Sequence, residues 1–173
     1  MRRENPILGA YTYAEFFACA AAFLPTMALS SLRHRKDPGQ RIPGRWMRRF
    51  GRVCSSLTPV WRFSWDGTPP DDILHEPYVV VCNHESTADP FLISHLPWDM
   101  RWVAKEEIFK LPFLGWLMRS GGDIPVRRGA GESVRQMLRD CEETIAAGVP
   151  VMLFSEGTRS RDGNLLPFKD GAF

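Results

Sequence analysis

A histidine and an aspartate five positions apart are the residues of this sequence best suited to proton transfer. His84 and Asp89 lie in the stretch CNHESTADP, directly after the apolar run YVVV. A neutral imidazole can accept a proton near physiological pH, and a carboxylate on one ring nitrogen stabilises the imidazolium that results. No GxSxG nucleophile elbow occurs in the sequence. The pair therefore predicts activation of a substrate hydroxyl, and a His with a helix-capping Asp in an ordinary loop is the alternative.

Positively charged and hydrogen-bonding groups lie at three other positions that follow predicted strands. The first is the stretch FSEGTRS, in which a glycine lets the backbone turn and expose its amides. The second is the basic end of GGDIPVRR, and the third is a lysine after a further strand. The candidate groups are Lys105, Arg127, Arg128, Gly157, Thr158, Arg159 and Ser160. Because a guanidinium forms paired hydrogen bonds with phosphate, they predict an anion site, with solvated surface positions as the alternative for each.

Alternating strands and helices in the second part of the chain predict an α/β fold with a largely parallel sheet flanked by helices. The predicted strands are 78–82, 100–104, 124–126 and 149–154. The predicted helices begin at Pro90, cover 105–120 with a break at Pro112, and cover 132–147 with an apolar stripe of Val134, Met137, Leu138, Cys141 and Ile145. Pro125 indicates an edge strand. In such folds, ligand chemistry gathers at the carboxyl ends of the strands, where the candidate residues lie.

The segment 16–32 contains no charged residue and is followed directly by RHRK. Its 17 positions are at the lower limit for a bilayer-spanning helix, and Pro25 is expected to kink it. A basic flank favours membrane contact over a buried core helix. The sequence leaves open whether the segment spans the bilayer or lies in its interface.

A second N-terminal helix is predicted in RIPGRWMRRFGRVCSSLTPVW, where Trp46, Phe50, Val53, Cys54 and Leu57 recur at helical spacing and arginines fill much of the rest. We interpret it as a basic amphipathic helix at a membrane surface, with a surface helix packed on the domain as the alternative. The two segments predict a membrane-associated helical hairpin at 1–60, followed by an α/β domain at 61–173.

Composition excludes several function classes. The formal net charge of +2 argues against a dedicated nucleic-acid binder, and no zinc, EF-hand or Walker motif is present. The basic surplus is local, with ten Arg or Lys residues against three acidic residues in 1–52, which favours an anionic membrane surface. The four cysteines lack CxxC spacing and are expected to be buried free thiols in a reducing compartment.

Three ordered motifs, NHxxxxD at 83–89, GDIPVR at 122–127 and FSEGTRS at 154–160, resemble the first three blocks of the glycerolipid acyltransferases. They are most similar to the bacterial 1-acylglycerol-3-phosphate acyltransferases, and the resemblance covers about 65–173. Ser155 stands where the family usually has proline. The family's fourth block would lie beyond Phe173, so we expect the chain to be truncated at its C-terminus.

The resemblance implies a role for each candidate. It makes His84 the general base on the free hydroxyl of lysophosphatidate and Asp89 its orienting partner. The acyl donor would be acyl-CoA or acyl-carrier protein, the product phosphatidic acid, and no bound cofactor or metal is implied. The head group would be bound by Lys105, Arg127, Glu156, Gly157, Thr158 and Arg159. Membrane lipids are the expected partners, on the cytoplasmic face of the inner or plasma membrane.

Three rival interpretations remain at the level of sequence. The same chemistry could act on glycerol-3-phosphate or another lysolipid, because acceptor choice depends on the shape of the pocket. A non-catalytic membrane-binding module could use only the basic hairpin. A metal hydrolase using His84, Glu85 and Asp89 is disfavoured because the sequence shows no further ligand cluster.

Overall fold

The computed structural model describes residues 6–59, 61–72, 76–160 and 162–169. The α-helices are α1 (Pro6–Arg33), α2 (Arg41–Leu57), α3 (Asp89–Ile93), α4 (Leu114–Ser120) and α5 (Gly131–Ala146). The strands are β1 (Val79–Cys82), β2 (Arg101–Lys105), β3 (Ile124–Val126) and β4 (Val151–Phe154). Short 3₁₀ helices cover Pro38–Gln40 and Glu106–Lys110.

The four strands form one sheet in the order β1-β4-β2-β3, and every pairing is parallel. Cys82 pairs with Phe154, and Lys105 pairs with Val126. The strands therefore all point the same way, with their carboxyl ends along one side of the sheet, here named the carboxyl rim, and their amino ends along the amino rim. This arrangement confirms the predicted α/β class, with β3 and its Pro125 at one edge.

The helices and strands of the α/β part begin and end close to their predicted positions. The predicted helix at 105–120 is divided at Pro112 into a 3₁₀ helix and α4. Strand β4 begins at Val151 rather than at 149, because Gly148 turns the chain at a φ of 75° and Pro150 has no N–H for a ladder. On α5, Met137 is buried, whereas Leu138 is 38% exposed at the margin of the predicted stripe.

All four cysteines carry free thiols. Cys19, Cys54 and Cys141 are buried as expected, and Cys82 on β1 is half-buried. Burial raises the pKa of Cys141 to about 11, so this thiol stays protonated at neutral pH.

Helix α1 packs one face on the rest of the molecule and leaves the other uncovered. Phe16 and Phe23 each contact the ring of Phe50 on α2 edge to face, with centroids 5.7 Å apart. Residues at least 64% exposed lie away from this contact, namely Ile7, Tyr13, Leu29 and Leu32. The helix contains Pro25 and continues through it as one element. It is long and apolar enough to cross a membrane, with 17% of its most apolar window buried.

Helix α2 is a layer of the domain, and its buried face differs from the predicted one. Phe50 and Cys54 are buried as expected, but Val53 is 40% exposed and Leu57 is 52% exposed. Arg48, expected on the solvated face, is 7% exposed instead. The reason is Asp123 beside β3, both of whose oxygens accept from Arg48 Nη2 at 2.9 Å.

This ion pair fastens α2 to the sheet. Asp123 Oδ1 also accepts the backbone N–H of Trp102 on β2 at 3.0 Å. The Arg48 guanidinium lies 4.0 Å from the centroid of the Trp102 ring, a cation–π contact. One carboxylate and one ring thus compensate the buried cation, and both belong to the sheet.

A second buried arginine holds the turn between α1 and α2. Arg101 at the start of β2 is 1% exposed and donates to the carbonyls of Gly39, Gln40 and Met100. Burial lowers the pKa of Arg101 to about 10, so the group remains charged at neutral pH. The N-terminal hairpin is therefore tied to the sheet by hydrogen bonds to buried arginines as well as by apolar packing.

Replacing Asp123 with alanine is expected to lower the free energy of unfolding by about 3–5 kcal/mol, because Arg48 would be left buried without its partner. Arg45→Ala is the matched control, since Arg45 pairs with Asp99 at 2.7 Å but is 57% exposed. Loss of that pair should cost less than about 1 kcal/mol. Denaturant unfolding of both variants in the same detergent measures the difference, and equal losses would contradict the role given to Asp123.

Candidate active site

The parallel pairing of β1 with β4 brings the first and third motifs together at the carboxyl rim. Because Cys82 pairs with Phe154, the loops that follow the two strands leave the sheet side by side. The His84 ring stacks on the Phe154 ring, with centroids 4.0 Å apart and planes 18° apart. Sequence reasoning missed this aromatic partner, because nothing in the spacing of the two residues indicates the stack.

His84 and Asp89 are in direct contact. His84 Nδ1 lies 2.7 Å from Asp89 Oδ2, across the turn that leads from β1 into α3. The same oxygen accepts the backbone N–H groups of Glu85 and Ser86, each at 2.9 Å. Because a carboxylate only accepts, His84 donates from Nδ1, and the neutral ring keeps its lone pair on Nε2. The side chains of the pair are 15% and 19% exposed, so the ring is partly open to solvent.

Glu156 lies beneath His84 rather than at the surface of the rim. It is 2% exposed, Oε1 accepts the backbone N–H of His84 at 3.0 Å, and Oε2 accepts that of Leu166 at 2.9 Å. The backbone N–H of Ser160 donates to the His84 carbonyl at 2.7 Å. Both backbone polar groups of His84 are therefore held by the third motif, and both carboxylate oxygens of Glu156 are occupied by the protein.

The turn after β4 presents the remaining residues of the third motif. Gly157 has a φ of 66°, a left-handed conformation that favours glycine, and its N–H donates to the Phe154 carbonyl. Thr158 and Arg159 follow on the exposed side of this turn. This turn leaves the strand next to β1, so the sheet order places it beside His84.

The other basic candidates lie further along the carboxyl rim. Lys105 ends β2, two strands from β1, and its Nζ lies 3.4 Å from Glu107. Arg127 follows β3, three strands from β1, and its Nε lies 3.9 Å from Glu106. At a strand spacing of about 4.8 Å, these offsets from β1 are about 10 Å and 14 Å. The rim thus orders the candidate groups as His84, Arg159, Lys105 and Arg127.

Comparison with known proteins identifies sequence relatives. The profile of the family described as Acyltransferase matches residues 68–173. A chloroplastic 1-acyl-sn-glycerol-3-phosphate acyltransferase of Brassica napus is 31% identical over 161 residues, covering 90% of this chain and 47% of that protein. A lyso-ornithine lipid O-acyltransferase of Rhodobacter capsulatus is 32% identical over 122 residues, covering 70% of this chain and 42% of that protein.

A solved structure is similar along most of the chain. The crystal structure of the 1-acyl-sn-glycerophosphate acyltransferase of Thermotoga maritima superposes with a TM-score of 0.73 at 26% identity. The match covers 97% of this chain and 67% of that one. The chain spans about half the length of the curated relatives that it matches over most of its residues.

Glu156→Gln is expected to destabilise the protein by about 1–3 kcal/mol, because the N–H groups of His84 and Leu166 bond to different oxygens and glutamine keeps only one of the two. The amide nitrogen of the new side chain would face a donor. Glu85→Gln is the control, since Glu85 is exposed and its carboxylate accepts only from the Asn83 side chain among the contacts the structure describes. Thermal unfolding of the two variants tests the difference, and a Gln at 156 as stable as the parent would contradict the buried role.

Proposed function

This chain belongs to the acyltransferase family, and on that premise we propose that it makes phosphatidic acid from lysophosphatidic acid. It would transfer a fatty acyl group from an acyl thioester to the free hydroxyl of the lysolipid. The observation that carries this proposal is the contact of 2.7 Å between His84 Nδ1 and Asp89 Oδ2, beside the turn of the third motif. It supplies a base whose free nitrogen can meet an alcohol.

The proposed reaction begins with proton transfer to His84 Nε2. As the lysolipid hydroxyl loses its proton, its oxygen attacks the thioester carbonyl and forms a C–O bond. Asp89 stabilises the imidazolium through Nδ1, as its geometry allows. When the tetrahedral intermediate collapses, the C–S bond breaks, and the proton on Nε2 passes to the departing sulfur. The base is then neutral again, and no covalent acyl-enzyme is needed.

The acceptor's phosphate is proposed to lie along the carboxyl rim. Arg159 is the nearest basic candidate to His84 in the strand order, and Lys105 is the next. The backbone turn at Gly157 and the Thr158 hydroxyl add donors beside Arg159. Arg127 lies furthest from His84 along the rim, so we expect it to contribute least to binding of the head group.

We propose a positioning role for Glu156 in place of direct contact with the head group. Both of its oxygens already accept backbone N–H groups, and the side chain is almost fully buried. A carboxylate in that position holds the His84 backbone while Asp89 holds the ring. Two acidic residues would thus fix one base from two sides.

The N-terminal hairpin is proposed to hold the enzyme on the cytoplasmic face of a membrane, with α1 in the interface. Tyr11 Oη donates to the Leu57 carbonyl and Ser31 Oγ donates to the Ser120 carbonyl, each at 3.3 Å, so α1 lies along the domain. These contacts favour a helix that lies on the domain over one that is surrounded by lipid along its length. Its uncovered apolar face would enter the lipid beside the basic residues of 33–36.

A second candidate function is the same chemistry on another lysolipid. The relative from Rhodobacter capsulatus is named for a lyso-ornithine lipid, so the family's acceptors are not confined to one head group. The donor carrier, acyl-CoA or acyl-carrier protein, stays open in both cases. A panel of acceptors assayed with one labelled thioester separates the two candidates. If the first proposal is right, lysophosphatidate is acylated faster than lyso-ornithine lipid, and the reverse order favours the second.

His84→Ala is expected to lower the rate of acyl transfer by about 10²–10⁴, because the base that accepts the hydroxyl proton is lost. His95→Ala is the matched control, since the His95 ring lies against Phe63 and its Nε2 lies 2.8 Å from Ser55 Oγ, outside the proposed site. Phosphatidate formed from lysophosphatidate and a labelled acyl thioester measures the rate in membranes that contain equal amounts of folded protein. Undiminished turnover by His84→Ala would rule out the proposed mechanism.

Arg159→Ala should raise the KM for lysophosphatidate by about tenfold or more and change kcat little, because it removes a charge-assisted contact with phosphate. The KM for the acyl thioester is expected to stay constant. Arg127→Ala, at the far end of the rim, should raise the KM for lysophosphatidate less. If Arg159→Ala raised the KM for an acceptor without phosphate to the same degree, the proposed contact between Arg159 and phosphate would be contradicted.

A further inference from the structure

A cleft of about 430 Å³ opens at the amino rim, on the opposite side of the sheet from His84. Helix α2 forms one wall, and the segments that lead into β2 and β4 form the other. Five arginines line it: Arg41, Arg45, Arg48, Arg49 and Arg52. Their spacing along α2 places them on neighbouring turns of one helix. None of these residues belongs to the site proposed for acyl transfer.

The cleft has more positive than negative charge. Its acidic lining residues are Glu76 and Asp99, and Asp99 already pairs with Arg45 at 2.7 Å. Asp123, which is not a lining residue, compensates Arg48. Five cations against these three carboxylates leave a surplus of two positive charges in a concave, partly desolvated space. Guanidinium groups that repel one another there would be stabilised by an anion.

The arginine side chains are held in place without a ligand. Arg41 Nη2 donates to the carbonyls of Ala147 and Gly148 at 3.0 and 2.8 Å. Arg52 donates from Nε and Nη2 to the carbonyls of Ser94 and Leu96, each at 3.3 Å. Such contacts reduce the side-chain entropy that a ligand would otherwise have to overcome.

A separate observation shows unused donors at the same place. Arg48 lines the cleft and is 7% exposed, yet its Nε and Nη1 have no hydrogen-bond partner in the part of the chain that the structure describes. Buried N–H groups without a partner are costly, and those of a charged group are more so. The two nitrogens are themselves buried, so an anion in the cleft would pair with the Arg48 charge and would reach these donors only after a small shift of the side chain. The cleft is therefore short of hydrogen-bond acceptors as well as of negative charge.

We propose that this cleft is a second anion site, separate from the catalytic rim, that binds a phosphate group carried by an anionic lipid or free in solution. A phosphate group offers several acceptor oxygens and one or two negative charges, which match paired guanidinium donors. A concave site of this size admits a head group but not the flat surface of another protein. The proposal does not depend on the proposed acyl transfer, because it involves none of the same residues.

Titration of the purified protein with inorganic phosphate, followed by calorimetry, tests the site. All measurements use an Arg159→Ala background, so that phosphate binding at the carboxyl rim is weakened and is the same in every variant compared. Arg49→Gln with Arg52→Gln should weaken phosphate binding at least about tenfold, because two charged donors are removed. The control is Arg135→Gln with Arg139→Gln, two exposed arginines on α5, which should leave the affinity unchanged.

Vesicles distinguish the two sources of phosphate. Co-sedimentation compares phosphatidylcholine vesicles with and without phosphatidylglycerol, an anionic lipid that is neither substrate nor product of the proposed reaction. Loss of the phosphatidylglycerol-dependent binding in the α2 variant alone supports a lipid head group, and phosphate binding without any vesicle effect supports a soluble ligand. Equal phosphate and vesicle binding by the parent, the α2 variant and the α5 variant would overturn the proposal.

Discussion

The parallel pairing of β1 with β4 is the constraint on which the candidate site depends. It forces two loops that are 72 positions apart in sequence to leave the sheet together. The backbone of His84 then donates to Glu156 and accepts from Ser160, so the residue is fixed before its ring meets Asp89. The first and third motifs are thus one structural unit. Without the third motif, the backbone of His84 would lose both of these hydrogen bonds, and only the contact with Asp89 would orient the ring.

The N-terminal helices are fastened to the same sheet by buried charges. Asp123 accepts from both Arg48 on α2 and the backbone of β2, and Arg101 on β2 holds the turn between α1 and α2. Buried charges of this kind are stable only while every partner is in place. The hairpin is therefore a covering layer of the sheet and at the same time the surface proposed to meet lipid.

Local sequence patterns predicted what depends on neighbouring residues. The strands, α5 and the contact between His84 and Asp89 arise within a few positions, and all were identified. The burial of Arg48 and Glu156 depends on partners 75 and 72 positions away, so nothing nearby separated these residues from solvated charges. The predicted burial of Val53 and Leu57 on α2 was wrong for a related reason. Helical spacing gives a face, but only the tertiary fold decides how much of it is covered.

The surplus of basic residues in the N-terminal third is a second case in which the sequence did not show what the side chains contact. Counted along the sequence, it indicated a membrane surface. In the structure, Arg48 compensates Asp123, and Arg41 and Arg52 bind backbone carbonyls at the amino rim. These cations lie in a concave space and are directed at the domain, so they favour a compact anion over a flat charged surface. Contact with a bilayer would then depend on the apolar face of α1 and the basic residues of 33–36, and the charge of α2 would serve the cleft.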